Sequence, residues 1–144
     1  MFSFVTPYGN VTFIMKRLRV VVADDNDTIR SAIVVLLCNR FQVVGAVCDG
    51  EELVQAASCL LPDVVVSDIL MPRMDGLTAR NKLIALRRAV PFVFVSTLEK
   101  EVVQFPLNDP PVGLVYKGDI ADYLINAMVA VLSGRLYLSP HYRE

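Results

Sequence analysis

The chain has one histidine, three cysteines and almost no net charge, and each scarcity removes a class of chemistry. With 14 Lys and Arg against 15 Asp and Glu, the net charge is −1 and no basic stripe forms. Lys16, Arg17 and Arg19 surround a strand start, and Arg87-Arg88 fall at a helix end, where cations complement the dipole. Direct nucleic-acid binding is therefore not expected. No apolar run approaches the roughly 20 residues that span a bilayer, so the expectation is a cytoplasmic protein without a membrane segment. Cys38, Cys48 and Cys59 lack metal-ligand spacing and fall where a small hydrophobe would serve, which fits inert thiols in a reducing compartment. His141 stands in the tail with no cysteine or acidic cluster beside it and reads as a solvated residue.

Within 144 residues, 54% hydrophobic content with 20% charged residues fits one compact domain and excludes disorder. Short apolar runs alternate with amphipathic stretches, the mark of βαβ units and a parallel sheet. Leu18 to Ala23 is a buried-strand run, and Ile29, Ala32, Ile33, Leu36 and Leu37 then repeat at helical spacing. Val43 to Val47 reads as a second strand and Asp49-Gly50 as a turn. Leu53, Ala56, Ala57 and Leu60 read as a second helix, which Pro62 stops. Val64 to Asp68 is the third strand, Gly76 to Arg88 the third helix, Phe92 to Val95 the fourth strand and Gly113 to Tyr116 the fifth. Asp119 is expected to cap a last helix that runs to about Ser133, with Gly134 as its stop. Right-handed crossovers then give a flavodoxin-like, doubly wound sheet of five parallel strands in the order 2-1-3-4-5, helices on both faces.

Two strand ends are acidic. The first strand runs into Asp24-Asp25 and the third ends at Asp68, followed by a Pro and an Asp-Gly pair. In an open parallel sheet, ligands bind at that edge. Three carboxylates meeting there repel one another unless a cation intervenes, and a hard oxygen-seeking ion such as Mg²⁺ is the natural one.

Asp24-Asp25, Asp68 with Met71-Pro72-x-Met74-Asp75-Gly76, then Ser96, then Lys117 resemble the receiver domain of bacterial two-component response regulators over roughly residues 17 to 140. Gly113 before Lys117 and the ending Arg135-Leu136-Tyr137-Leu138-Ser139-Pro140 resemble receivers that precede a helix-turn-helix effector of the LuxR/NarL type. The resemblance implies that Asp68 takes a phosphoryl group from the phosphohistidine of a sensor kinase or phosphotransfer protein. It further implies that Asp25 binds Mg²⁺ directly, Asp24 binds it through water, and the Leu70 backbone carbonyl completes the ligands with Asp68. Lys117 and Ser96 would contact phosphoryl oxygens, Thr97 being the neighbouring hydroxyl. Such a chain is a self-phosphorylating switch rather than an enzyme acting on a metabolite. Slow hydrolysis of the acyl phosphate is expected, because the apolar Leu70 and Leu98 flank the site.

The sequence departs from the pattern in several places. Leu114 stands where many receivers place a Tyr or Phe that relays the switch. Phe105-Pro106-Leu107-Asn108-Asp109-Pro110-Pro111 interrupts the fourth helix, which should be short, since proline removes a donor and clashes with the preceding turn. Residues 1–15 have no counterpart and read equally as an upstream extension, a misassigned start or a small added strand. Residues 16–144 read as one receiver with no effector domain. The strongly apolar run Ile120 to Leu132, with Val34 and Val35, implies a homodimer or partner interface. A second function class stays open at this point, a receiver-like interaction module whose binding does not depend on phosphate. A haloacid-dehalogenase-like phosphatase is disfavoured, because Leu70 stands where that chemistry needs a second acid.

Overall fold

A computed structural model describes residues 18–99 and 111–143, with the backbone of residues 5–6 and 9–10. The main sheet contains β1 (Arg19–Ala23), β2 (Gln42–Val47), β3 (Val64–Asp68), β4 (Phe92–Ser96), β5 (Val112–Tyr116) and β6 (Tyr137–Leu138). All pairings are parallel and the strand order is 2-1-3-4-5-6. The five expected strands thus lie in the expected order, and the two-residue β6 adds an edge that the sequence reading left as tail. Val5–Thr6 pairs with Gly9–Asn10 as a separate antiparallel hairpin.

Four α-helices are described: α1 (Asp27–Leu37), α2 (Gly50–Leu60), α3 (Gly76–Ala85) and α4 (Ile120–Leu132). The interrupted helix expected after Glu99 lies outside the described residues. Alternate residues of each strand feed two apolar layers. Val20, Val22, Val64 and Val66 face α1 and α4, through Ile33, Leu37, Leu124 and Met128. Val21, Ala23, Val65 and Phe94 face α2 and α3, through Leu53, Ala57, Ala79 and Leu83. None of the described helices is long and apolar enough to cross a membrane.

Side-chain caps fix where the first three helices start. The carboxamide of Asn26 accepts from Ile29 N, Asp49 Oδ1 from Glu52 N and Asp75 Oδ1 from Thr78 N. Asp119 differs from expectation: it precedes α4 but makes no capping hydrogen bond, because a 3₁₀ turn over Lys117–Asp119 leads into the helix instead. Helix α3 also ends before Arg88. Arg87 turns left-handed at φ 57° and Arg88 N returns to Leu83 O at 2.8 Å, a C-terminal stop without glycine.

Helix α4 buries part of its apolar surface inside the fold, with Ile120, Tyr123, Ile125, Val129 and Leu132 partly buried. Leu124, Ala127, Met128, Ala130 and Val131 are buried, and no large apolar side chain of this helix is strongly exposed, whereas Val35 of α1 is 69% exposed. The three thiols correct the sequence reading, since all are exposed. They sit at the end of α1, after β2 and on the outer face of α2, positions whose neighbours bury the core-facing residues instead.

Gly76 places the acidic strand end. A Cβ there would lie 2.2 Å from the Asp68 carbonyl oxygen, so the start of α3 can pack against β3 only without a side chain. Gly76→Ala is expected to destabilise the chain by about 2 kcal/mol, read as a lower urea midpoint at unchanged slope. An unchanged midpoint would show that the loop yields freely.

Candidate functional site

Register decides which residues share the carboxyl edge of the sheet. Ala23 pairs with Ser67, Asp68 with Val95 and Ser96 with Tyr116, so Asp24, Asp68, Ser96 and Lys117 emerge together from four adjacent strands. One ligand oxygen each from Asp24, Asp25 and Asp68 lie within 4.8 Å of one another. Asp24 is fully buried, Asp68 is 7% exposed and Asp25 opens to solvent.

Lys117 joins two of these acids. Its Nζ lies 2.9 Å from Asp24 Oδ2 and 3.1 Å from Asp68 Oδ2, and it donates a hydrogen bond to the latter. Asp24 Oδ2 has the ion contact but no aligned hydrogen-bond donor. Burial pushes the Asp68 carboxyl above the usual carboxylate range; Lys117 opposes this and the Asp24 charge adds to it. Burial works against the charge on Lys117, yet its contacts with Asp24 and Asp68 hold the ammonium above its ordinary value.

The donor set fits a hard divalent cation. Three carboxylates face one ammonium, a buried oxygen lacks a hydrogen-bond donor, and every side-chain ligand is oxygen, as Mg²⁺ requires. Leu70 lies with Asp25 along the cleft formed by the loop Leu70 to Asp75, and its side chain is 58% exposed. Ser96 is buried and its Oγ accepts from Leu98 N at 2.9 Å, while Thr97 is exposed. A second acidic group, Cys48, Asp49 and Glu52, is already engaged: Asp49 caps α2 and meets the Arg73 guanidinium at 3.5 Å, and the Cys48 thiol donates to Glu52.

Some contributors escaped the sequence reading. Arg30 donates to the Asp24 carbonyl at 2.8 Å and to Asp27 Oδ1 at 2.6 Å, which ties the first turn of α1 to the acidic strand end. Its i, i+3 spacing from Asp27 was a visible signal. His141 and Tyr142 are the others, and His141 corrects the reading as a solvated residue. It stacks on Tyr116 with ring centroids 3.7 Å apart. Nothing local in the sequence marks a contact across so many residues.

Residues 20–109, more than half of the chain, match the family model described as the response regulator receiver domain. Over 132 residues the chain is 35% identical to the response regulator GacA of Pseudomonas viridiflava, covering 88% of this chain and 61% of that protein. It is 40% identical over 99 residues to a protein-glutamate methylesterase/protein-glutamine glutaminase of Archaeoglobus fulgidus, covering 68% of this chain and 28% of that one. The response regulator domain of Thermotoga maritima CheB superimposes with a TM-score of 0.71 at 27% identity, covering 81% of this chain and 96% of that one. The signal receiver domain of the Mycobacterium tuberculosis regulator NarL gives 0.75 at 24% identity over 83% and 99% of the two chains, a likeness of fold. The chain spans less than two thirds of these curated relatives.

Proposed function

The chain belongs to the response regulator receiver family, and from that premise we propose that Asp68 accepts a phosphoryl group from the phosphohistidine of a sensor histidine kinase or phosphotransfer protein. The observation that carries this reading is the Lys117 ammonium set against both Asp24 and Asp68 at an edge shared with Ser96. An Asp68 carboxylate oxygen attacks phosphorus, the phosphorus–nitrogen bond breaks with its electron pair kept by the imidazole, and an acyl phosphate forms. Such transfer depends on positioning and charge neutralisation. Lys117 stands ready to pair with a phosphoryl oxygen, and the Ser96 hydroxyl can donate to another. Asp24, Asp25, Asp68 and the Leu70 carbonyl would hold Mg²⁺, whose contribution when bound is to neutralise charge on the phosphoryl oxygens.

The chain itself is read as a switch without metabolite-directed activity. Its net charge of −1 argues against nucleic-acid contact by this domain and says nothing of any segment outside the chain.

Intact mass after incubation with acetyl phosphate and Mg²⁺ tests the proposal. One added phosphoryl group, absent with chelator, supports it. No gain in a folded chain would instead favour an interaction module that works without phosphate. With Leu70 and Leu98 flanking the site, the acyl phosphate is expected to persist for minutes when its loss is followed by mass. A lifetime of seconds would contradict that.

A further inference from the structure

Strand β5 carries Leu114 three residues before Lys117, so that position offers no aromatic hydroxyl to the loop that bears Ser96. A ring reaches that loop from beyond α4 instead. Strand β6 pairs with β5 through Gly113 with Tyr137 and Leu114 with Leu138. Ser139 N then donates to Leu114 O at 2.9 Å, and Ser139 Oγ accepts from Tyr116 N at 3.0 Å. The turn Pro140–Tyr142 comes next and sinks Tyr142 to 4% exposure in the apolar layer that holds Leu114 and Phe94. Its hydroxyl donates to Leu98 O at 2.8 Å and lies 3.4 Å from Ser96 O. Beside it, His141 stacks on Tyr116 and comes within 3.7 Å of Glu99 Oε2. The segment 137–143 therefore grips both the Ser96 loop and the strand end that leads to Lys117.

We propose that Tyr142 is a positioning residue for Ser96, and that the segment Tyr137 to Arg143 is a latch whose grip on the Ser96–Leu98 loop opposes the phosphorylated arrangement. This rests on Asp68 being the phosphoryl acceptor. Ser96 Oγ and Leu98 N already share a hydrogen bond, so the two residues move as one unit. A Ser96 hydroxyl that turns to a phosphoryl oxygen draws in a loop whose carbonyls Tyr142 holds from the other side. Coupling of this kind is reciprocal: phosphoryl binding loosens the latch by the factor by which a loosened latch favours phosphoryl binding.

Tyr142→Phe keeps the buried ring and removes only the hydroxyl. The variant is expected to bind beryllofluoride, with Mg²⁺, about two- to tenfold more tightly than the parent, the worth of one hydrogen bond. In a Ser96→Ala background the same substitution should change affinity little, a cycle that a purely structural role would not reproduce. In the parent chain, beryllofluoride should also speed amide exchange at Tyr116 and Ser139, whose N–H groups join the latch to β5. A chain that is phosphorylated, yet whose Tyr142→Phe variant matches the parent in affinity, overturns the latch alone. A chain that takes neither phosphoryl group nor beryllofluoride overturns the Asp68 reading and the latch with it.

Discussion

Lys117→Ala should slow phosphoryl incorporation at Asp68 about a hundredfold and destabilise the metal-free chain by about 3 kcal/mol. Both effects come from one group. The Lys117 side chain is 13% exposed and lies within 3.1 Å of two acids that are themselves buried, so its removal leaves those carboxylates facing each other without a counter-charge. Asp68, already held above the usual carboxylate range by burial, then moves further up. A protonated carboxyl is a poor nucleophile, so the stability defect and the rate defect share a cause. Millimolar Mg²⁺ should restore much of the stability and little of the rate, since the ion can neutralise the acids but does not replace the ammonium beside the acceptor. Lys117→Arg keeps the charge and should recover stability more than rate, because a planar guanidinium does not fit where a point charge sits between two carboxylates. Urea melts in chelator and in Mg²⁺, together with mass time courses, separate these effects. Equal stability of parent and Lys117→Ala in chelator would show that the ion contacts contribute nothing.

Asp68→Asn is expected to abolish phosphoryl incorporation and, in chelator at neutral pH, to raise the melting temperature by about 2–4 °C. Burial and the Asp24 charge both disfavour ionised Asp68, so the folded state holds its proton more tightly than the unfolded chain does. A carboxyl raised in this way stabilises fully below the unfolded pKa, and that contribution is lost as pH rises through the folded value. The advantage of the Asn variant should therefore be present at neutral pH and fade as pH falls to about 4, the ordinary Asp value. Thermal melts across that range measure it. A variant less stable than the parent at neutral pH would mean that the Lys117–Asp68 pair outweighs the burial of Asp68.

The acidic edge was legible because its determinants are local. Val20–Val22 and Val64–Val66 are apolar runs that can only be buried strands, and a parallel sheet brings the residues just after such strands to one edge. That rule groups Asp24, Asp25 and Asp68, the family resemblance adds Ser96 and Lys117, and β-pairing in register brings the four strand ends together. What the sequence hid depends on contacts between distant residues. The Tyr142 hydroxyl bonds a carbonyl 44 residues away, and β6 is a two-residue strand with no periodicity to read. His141 looked solvated because its stacking partner, Tyr116, lies on β5, far from it in sequence. Helix ends misled for a different reason: Arg87 accepts a left-handed turn that glycine usually marks, and Asp119 occupies a cap position without bonding. The apolar run of α4 packs against both the sheet and α1, with Ile120, Tyr123, Ile125, Val129 and Leu132 partly buried.

An acyl phosphate on Asp68 can be trapped by reduction. The chain is treated with acetyl phosphate and Mg²⁺, reduced with borohydride, digested and sequenced by mass spectrometry. Borohydride converts an aspartyl phosphate to homoserine, so homoserine is expected at position 68, with Asp24 and Asp25 unmodified. Homoserine at another position, or a phosphoryl group that survives on a hydroxyl side chain while Asp68 stays intact, would contradict it.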